Sequence, residues 1–175
     1  MSQIKLREAT VDDAAALLDI YRPYVTDTAI SFEIKVPALQ EFRRRIATVL
    51  ERYPYIVAEQ DGEIVGYVYC HQLGVRAAYA PSVETSIYVK LGHHRAGLGR
   101  LLLTTLEQEV KRRGIYNAYA AITVPETGDD PYLTRDSIDF HSAMGYKQVS
   151  MWHRCGRKFG RWYSVCYMEK ILVVH

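Results

Sequence analysis

The sequence predicts a mixed α/β domain built on one continuous sheet, and it reads as a single domain over residues 1–175. Three observations carry this. Short β-branched and aromatic runs alternate with amphipathic stretches at helical spacing. Their order is strand, two helices, three strands, helix, strand, helix, two strands. Apolar residues make up 49% of the chain, which is ample for one packed core.

Each element has its own signal. Ile4 to Arg7 reads as a short strand. Thr10 then serves as an N-cap with Asp13 at the reciprocal capping position, and Ala14, Leu17, Leu18 and Tyr21 follow at helical spacing. Pro37 opens a second helix that buries Leu39, Phe42, Ile46 and Val49. Tyr55–Ala58 and Ile64–Cys70 flank Asp61-Gly62, a hairpin signal, and Val83–Val89 is a further strand. A third helix runs from about Gly97 to Arg113, with Leu98, Leu101, Leu102, Leu106 and Val110 on its apolar face and Gly114 ending it. Ala118–Val124 is a strand, residues 125–133 a polar loop, and Ser137–Met144 a short helix. Strands near Tyr146–Met151 and Trp162–Met168 complete the order.

Composition narrows the function classes. A net charge of +2 is too small to suggest nucleic acid, and Arg43-Arg44-Arg45 and Lys111-Arg112-Arg113 read as solvated helix faces. No run approaches the ~18 apolar residues of a membrane span, and the N-terminus lacks a signal-peptide core. Cys70, Cys155 and Cys166 form no CxxC pair and read as buried small hydrophobes, so a reducing, cytoplasmic setting is expected. The histidines show no metal spacing, and no metal is expected.

The sharpest motif is Val83-Glu84-Thr85-Ser86-Ile87-Tyr88-Val89, a turn, and His94-Arg95-Ala96-Gly97-Leu98-Gly99-Arg100. A helix N-terminus offers unpaired N–H groups and the positive end of the macrodipole, and glycines let an anion approach. Such a loop suits a pyrophosphate, although an ordinary tight turn into a helix reads the same way. A mononucleotide P-loop fails, because Leu98 stands where its lysine belongs. A dinucleotide fingerprint fails at Leu102, where its third glycine belongs.

In context this stretch resembles the acetyl-CoA loop of the GNAT superfamily of N-acetyltransferases. Along nearly the whole chain the resemblance is closest to the phosphinothricin and methionine sulfone/sulfoximine acetyltransferase branch. Ile20-Tyr21, Thr28–Glu33, Gly66–Tyr69, Val83-Glu84 and Gly156–Trp162 carry it. The resemblance implies a mixed, mostly antiparallel twisted sheet of six to seven strands flanked by about four helices. It implies acetyl-CoA as co-substrate, with Ile87, Tyr88 and Val89 along the pantetheine and His94, Arg95, Ala96, Gly97, Leu98, Gly99 and Arg100 at the pyrophosphate. Ser137 joins the cofactor set. It also implies a homodimer. His94 departs from the usual Gln or Arg, Thr134 stands where the branch has asparagine, and the 126–133 segment is longer than usual.

The chemistry follows. An ammonium must lose a proton before it attacks a thioester, and a nearby carboxylate can take it. Glu84 heads the cofactor strand and is the base the resemblance implies. His141, before Gly145-Tyr146, either protonates the leaving thiolate or only binds cofactor. By resemblance Phe32, Glu33, Arg76, Tyr79 and the Val83 backbone line the acceptor pocket, with Arg76 as a carboxylate clamp. Lys158, Phe159 and Trp162 reach it, from this or a second subunit. The expected activity is acetylation of the amine of a small amino acid such as phosphinothricin or methionine sulfoximine. The alternatives are an acetyltransferase for a protein N-terminus or polyamine, and a CoA-binding domain without turnover.

Overall fold

The structure is a computed structural model that describes residues 3–93 and 97–173. Its strands are β1 (Lys5–Glu8), β2 (Tyr55–Gln60), β3 (Glu63–Gln72), β4 (Ser82–Val89), β5 (Asn117–Pro125), β6 (Lys147–Lys158) and β7 (Arg161–Ile171). Its helices are α1 (Ala14–Thr26), α2 (Leu39–Leu50), α3 (Leu98–Arg112) and α4 (Asp136–Ala143). All seven strands form one sheet in the order β1-β2-β3-β4-β5-β7-β6. Every neighbouring pair is antiparallel except β4 with β5. This is the expected mixed, mostly antiparallel sheet with four helices.

Two cores form because the sheet is covered on both faces. On one face α3 buries Leu98, Leu102, Leu103, Leu106 and Val110 against Val68, Cys70, Val83, Ala118 and Ile122. On the other, α1 and α2 bury Leu17, Tyr21, Tyr24, Phe42 and Ile46 against Tyr55, Val57 and Tyr67. Alternate residues of one strand point to opposite faces, so β4 sends Val83 and Ile87 to the first core and Tyr88 to the second.

Several expectations shift. Thr10 and Asp13 do form a capping box, but it opens a single 3₁₀ turn from which α1 continues. The second helix begins at Leu39 rather than Pro37. Leu101 is 40% exposed, and Leu103 takes its place, because a 3.6-residue period turns Leu101 off the buried stripe. Gly114 ends α3 at φ +82 with its N–H bonded to Lys111 O. Cys70 and Cys166 are buried, but Cys155 is exposed. It lies where β6 slips register between Trp152 and Gly156. Both C-terminal strands run well beyond the expected bounds. Among the described residues no helix is long and apolar enough to cross a membrane, and no group of three or more His, Cys, Asp or Glu could hold a metal ion.

The long loop after β5 is anchored through one carboxylate. The Asp130 side chain is only 3% exposed and faces Arg161 at 3.5 Å. It accepts from the Tyr163 hydroxyl at 3.1 and 3.3 Å and from the Tyr132 N–H at 2.9 Å. The loop in turn grips the segment after α1, since Ala29 N–H donates to Tyr132 O at 3.0 Å. Asp130→Ala leaves two polar groups without an acceptor and should cost about 1–3 kcal/mol. Urea unfolding of the two proteins reads this directly; an unchanged midpoint would mean the loop is held by something other than Asp130.

Candidate active site

The site begins with a failure of strand pairing. β4 and β5 are parallel for three residues only: Ser82, Val83 and Glu84 lie opposite Asn117, Ala118 and Tyr119. One further link follows, from Thr85 Oγ1 to Tyr119 O at 3.1 Å. Beyond it β5 continues to Pro125 paired with β7, while β4 stays paired with β3 as far as Val89. The β4 edge that faces β5 therefore has no strand partner after Glu84.

A cleft of about 470 Å³ opens at this wedge. Ile87 and Val89 form its β4 wall, Gly97, Gly99 and Arg100 of α3 one side, and Ser137 and Phe140 of α4 the other. Tyr88 points away, into a ring cluster with Tyr21, Tyr24 and Tyr67, so only its backbone can face the wedge. Tyr24 crosses from α1, lines the cleft and donates its hydroxyl to Val89 O at 2.6 Å.

The N-terminus of α3 is built for an anion. Gly97 caps it in the left-handed region at φ +76, where a Cβ is strained. No side chain caps it, and its first turn holds no acidic residue. The N–H groups of Leu98, Gly99 and Arg100 thus lack intrahelical partners, because Leu101 N–H makes the first bond, to Gly97 O at 3.0 Å. Gly99 must be small, since a Cβ there would sit 3.3 Å from the Phe140 ring. His94, Arg95 and Ala96 lie outside the described residues. The donor set that is described fits the pyrophosphate of a CoA thioester.

Glu84 is the last β4 residue paired on both sides. Its side chain is 22% exposed, and burial pushes its carboxyl above the ordinary carboxylate value, opposed by the charge of His71. His141 is buried in α4 and is not among the cleft's lining residues. Its Nδ1 lies 2.7 Å from Ser137 O, which can only accept, so that nitrogen carries the proton. Burial also holds its pKa below the ordinary histidine value. The ring is therefore neutral at pH 7 and presents Nε2 as an acceptor.

The acceptor-side residues fall into separate groups. Glu33 accepts from the Tyr21 hydroxyl and from Arg45, each at 2.7 Å. Burial pushes its carboxyl up, but those hydrogen bonds outweigh it and hold the group below its ordinary value. Lys158 is buried and donates to Ser31 O at 2.6 Å; burial lowers its pKa against the opposing pull of Glu33. The Phe32 ring lies over Gly156, where a Cβ would come within 2.3 Å of it. Phe159 stacks on Tyr132 at 4.2 Å. Lys158 and Phe159 thus pack on their own chain. Arg76 and Tyr79 line a second hollow of about 490 Å³ with Tyr119, Trp152 and Tyr167. Val83 is fully buried and can offer only backbone. Trp162 stands apart, 47% exposed beneath Arg157.

Sequence reasoning passed over Tyr24, His71, Phe140 and Arg45. Tyr24 and Phe140 look like ordinary core positions. Arg45 belongs to a triplet read as solvated surface, yet it pairs with Glu33. His71 had a findable signal, because the hairpin register that pairs β3 with β4 sets it opposite Glu84.

Comparison with known proteins agrees with this geometry. The model of the Acetyltransferase (GNAT) domain matches residues 6–166. The phosphinothricin N-acetyltransferase of Streptomyces viridochromogenes is 31% identical over 167 residues, 95% of this chain and 87% of that protein. The L-methionine sulfoximine/L-methionine sulfone acetyltransferase of Salmonella typhimurium is 30% identical over 97% of this chain and 95% of its own length. Among solved structures, a Sinorhizobium meliloti phosphinothricin acetyltransferase in complex with AcCoA superposes with a TM-score of 0.86. It is 30% identical, over 96% of this chain and 88% of that one. A domain match across most of the chain and relatives at this identity lead to one conclusion: the chain belongs to the GNAT acetyltransferase family and is an acyl-CoA-dependent N-acetyltransferase.

Proposed function

We propose that the chain moves the acetyl group of acetyl-CoA to the primary amine of a small amino acid or analogue, of the phosphinothricin or methionine sulfoximine kind, by direct attack in a ternary complex. The observation that carries this is the wedge between β4 and β5, with a half-buried carboxylate, Glu84, at its apex.

Acetyl-CoA supplies the thioester. The uncapped N–H groups at the start of α3 and Arg100 hold its phosphates, and the unpaired β4 edge along Ile87–Val89 holds the arm. Glu84 takes the proton from the substrate ammonium, directly or through water, which frees the amine to attack. Free N–H groups on the split strand stabilise the oxyanion that forms. His141, with Nδ1 committed to Ser137 O inside α4 and its ring edge-on to Phe140 and Tyr146, offers Nε2 as an acceptor rather than a proton donor. On the acceptor side Arg76 clamps a carboxylate in the hollow that Tyr79 also lines, and Phe32, Glu33 and Lys158 shape the pocket from a separate group around the 31–33 segment. The names of the relatives, which act on small amino acids and analogues, support that substrate class. Three free cysteines fit a reducing cytoplasm. A homodimer fits the exposed Trp152 (55%), Val149 (50%) and Trp162 on the last hairpin.

Three outcomes are expected. Gly97→Val places a β-branched residue at φ +76, and Gly99→Val drives a side chain against Phe140; each should weaken acetyl-CoA binding while the protein stays folded. Calorimetry showing normal binding by both variants would move the pyrophosphate site elsewhere. Glu84→Gln should lower turnover by ~10²–10⁴-fold near neutral pH with cofactor affinity hardly changed. A base works only when ionised, and burial raises this carboxyl. The wild-type rate should therefore climb with pH through a limb above the ordinary carboxylate range, and that limb should vanish in Glu84→Gln. Wild-type turnover in the variant, with chemistry rate-limiting, would remove Glu84 from the mechanism. Light scattering should give the mass of a dimer; a fully active monomer at micromolar concentration would refute the assembly.

A further inference from the structure

Glu84 has a partner that the reaction as described does not use. His71 lies directly opposite it in the antiparallel β3–β4 register, so both side chains project from one sheet face. The His71 Nε2 is 3.9 Å from Glu84 Oε1. Its other nitrogen, Nδ1, lies 2.9 Å from Gln72 O. A carbonyl can only accept, so Nδ1 donates to it and Nε2 is the nitrogen turned toward the carboxylate. A bare nitrogen and an ionised oxygen repel unless a proton lies between them. The pair is thus arranged to hold one proton, across a 3.9 Å gap that a small side-chain rotation closes.

Exposure gives the pair a direction. The Glu84 side chain is 22% exposed and that of His71 47%, so the imidazole is the outer member. Among the described residues, three phenols also neighbour the carboxylate: Tyr69 on β3, Tyr119 opposite it on β5, and Tyr167 on β7, the last two lining a hollow with Arg76, and Tyr119 bonded to Glu169. Burial raises all three above the ordinary tyrosine value, so they stay neutral and cannot take a proton from a carboxylic acid. An imidazole nitrogen can, because it carries a lone pair able to accept one.

We propose that His71 relays to solvent the proton that Glu84 removes from the substrate ammonium, and so restores the carboxylate for the next turnover. The ammonium N–H bond breaks as the Glu84 O–H bond forms. The Glu84 proton then passes to His71 Nε2, giving an imidazolium that releases it to water or buffer. Amine, carboxylate and neutral imidazole are left, and the transfer of the acetyl group is untouched. His71 acts through Glu84 and is a positioning residue rather than one that touches substrate. The proposal rests on Glu84 as the base.

The test uses the full chain with His71→Ala and His71→Gln, the best amine from an amino-acid panel, and thiol release from acetyl-CoA in dilute buffer. Both variants should lose on the order of tenfold in kcat, less than the ~10²–10⁴-fold of the base itself, with KM for acetyl-CoA unchanged. Added imidazole should restore His71→Ala. Because a protonated His71 opposes the raised carboxyl, losing the imidazole should move the acidic limb of the pH profile to higher pH in both variants. Wild-type kcat with an unmoved limb, or a loss in His71→Ala that imidazole does not restore, overturns the relay. Full activity in Glu84→Gln overturns the base and the relay together. An impaired Glu84→Gln beside wild-type His71 variants overturns the relay alone.

Discussion

The structure depends on where β4 stops pairing with β5. Two parallel strands joined by a helix would normally continue side by side, closing the sheet. Here the ladder ends at Glu84 and Tyr119, and β5 turns its remaining length over to β7. A row of backbone groups on the β4 edge is left without a strand. Such groups are costly to bury unpaired, so the wedge favours an extended ligand that can pair with them. The α3 N-terminus sits at the same opening, because α3 is the crossover between the two strands that part. Backbone edge and helix end are thus two consequences of one break in the sheet.

Helix α1 ties the two halves of the site together through its tyrosines. Tyr24 reaches Val89 at the cofactor side, while Tyr21 bonds Ser31 at 2.6 Å and Glu33 at 2.7 Å on the acceptor side. Both rings pack on Tyr88, whose strand carries Glu84 four residues earlier. The segment after α1 is also fixed from the far end of the sheet, by Lys158 on Ser31 O and by the loop that Asp130 anchors. A rotation of α1 would therefore disturb both pockets at once.

Two carboxylates near the site are tuned in opposite directions. Glu84 is half-buried with one weak, distant partner, and its carboxyl is raised. Glu33 is also half-buried but receives Arg45 and Tyr21, and it is lowered. Environments that push titratable groups apart separate their roles. Glu84 is suited to exchange a proton, and Glu33 is suited to remain a fixed charge that ties the 31–33 segment to Arg45 and Tyr21.

Much of this was legible in one dimension. β-rich runs and helical spacing pointed to the seven strands and four α-helices, since they report which face is buried, but not to the 3₁₀ turns. The capping box at Thr10, the turn at Asp61-Gly62 and the stop at Gly114 are chemistry of a few adjacent residues. Gly97-Leu98-Gly99 could be singled out for the same reason, as it lies at the helix end that gives it meaning, while Glu84 gained its role through the family resemblance of the strand it heads. Element ends were less legible, and β6 and β7 run past their expected bounds because cross-strand pairing, not local pattern, extends them. What only the tertiary structure decided is who faces whom. The length of the β4–β5 ladder, Tyr24 on Val89, Arg45 on Glu33, and Lys158 packing in its own chain join residues from 12 to 127 positions apart. The sequence determined the elements and the chemistry each one carries. The long-range contacts were set by packing two helical layers on one split sheet, which no local spacing records.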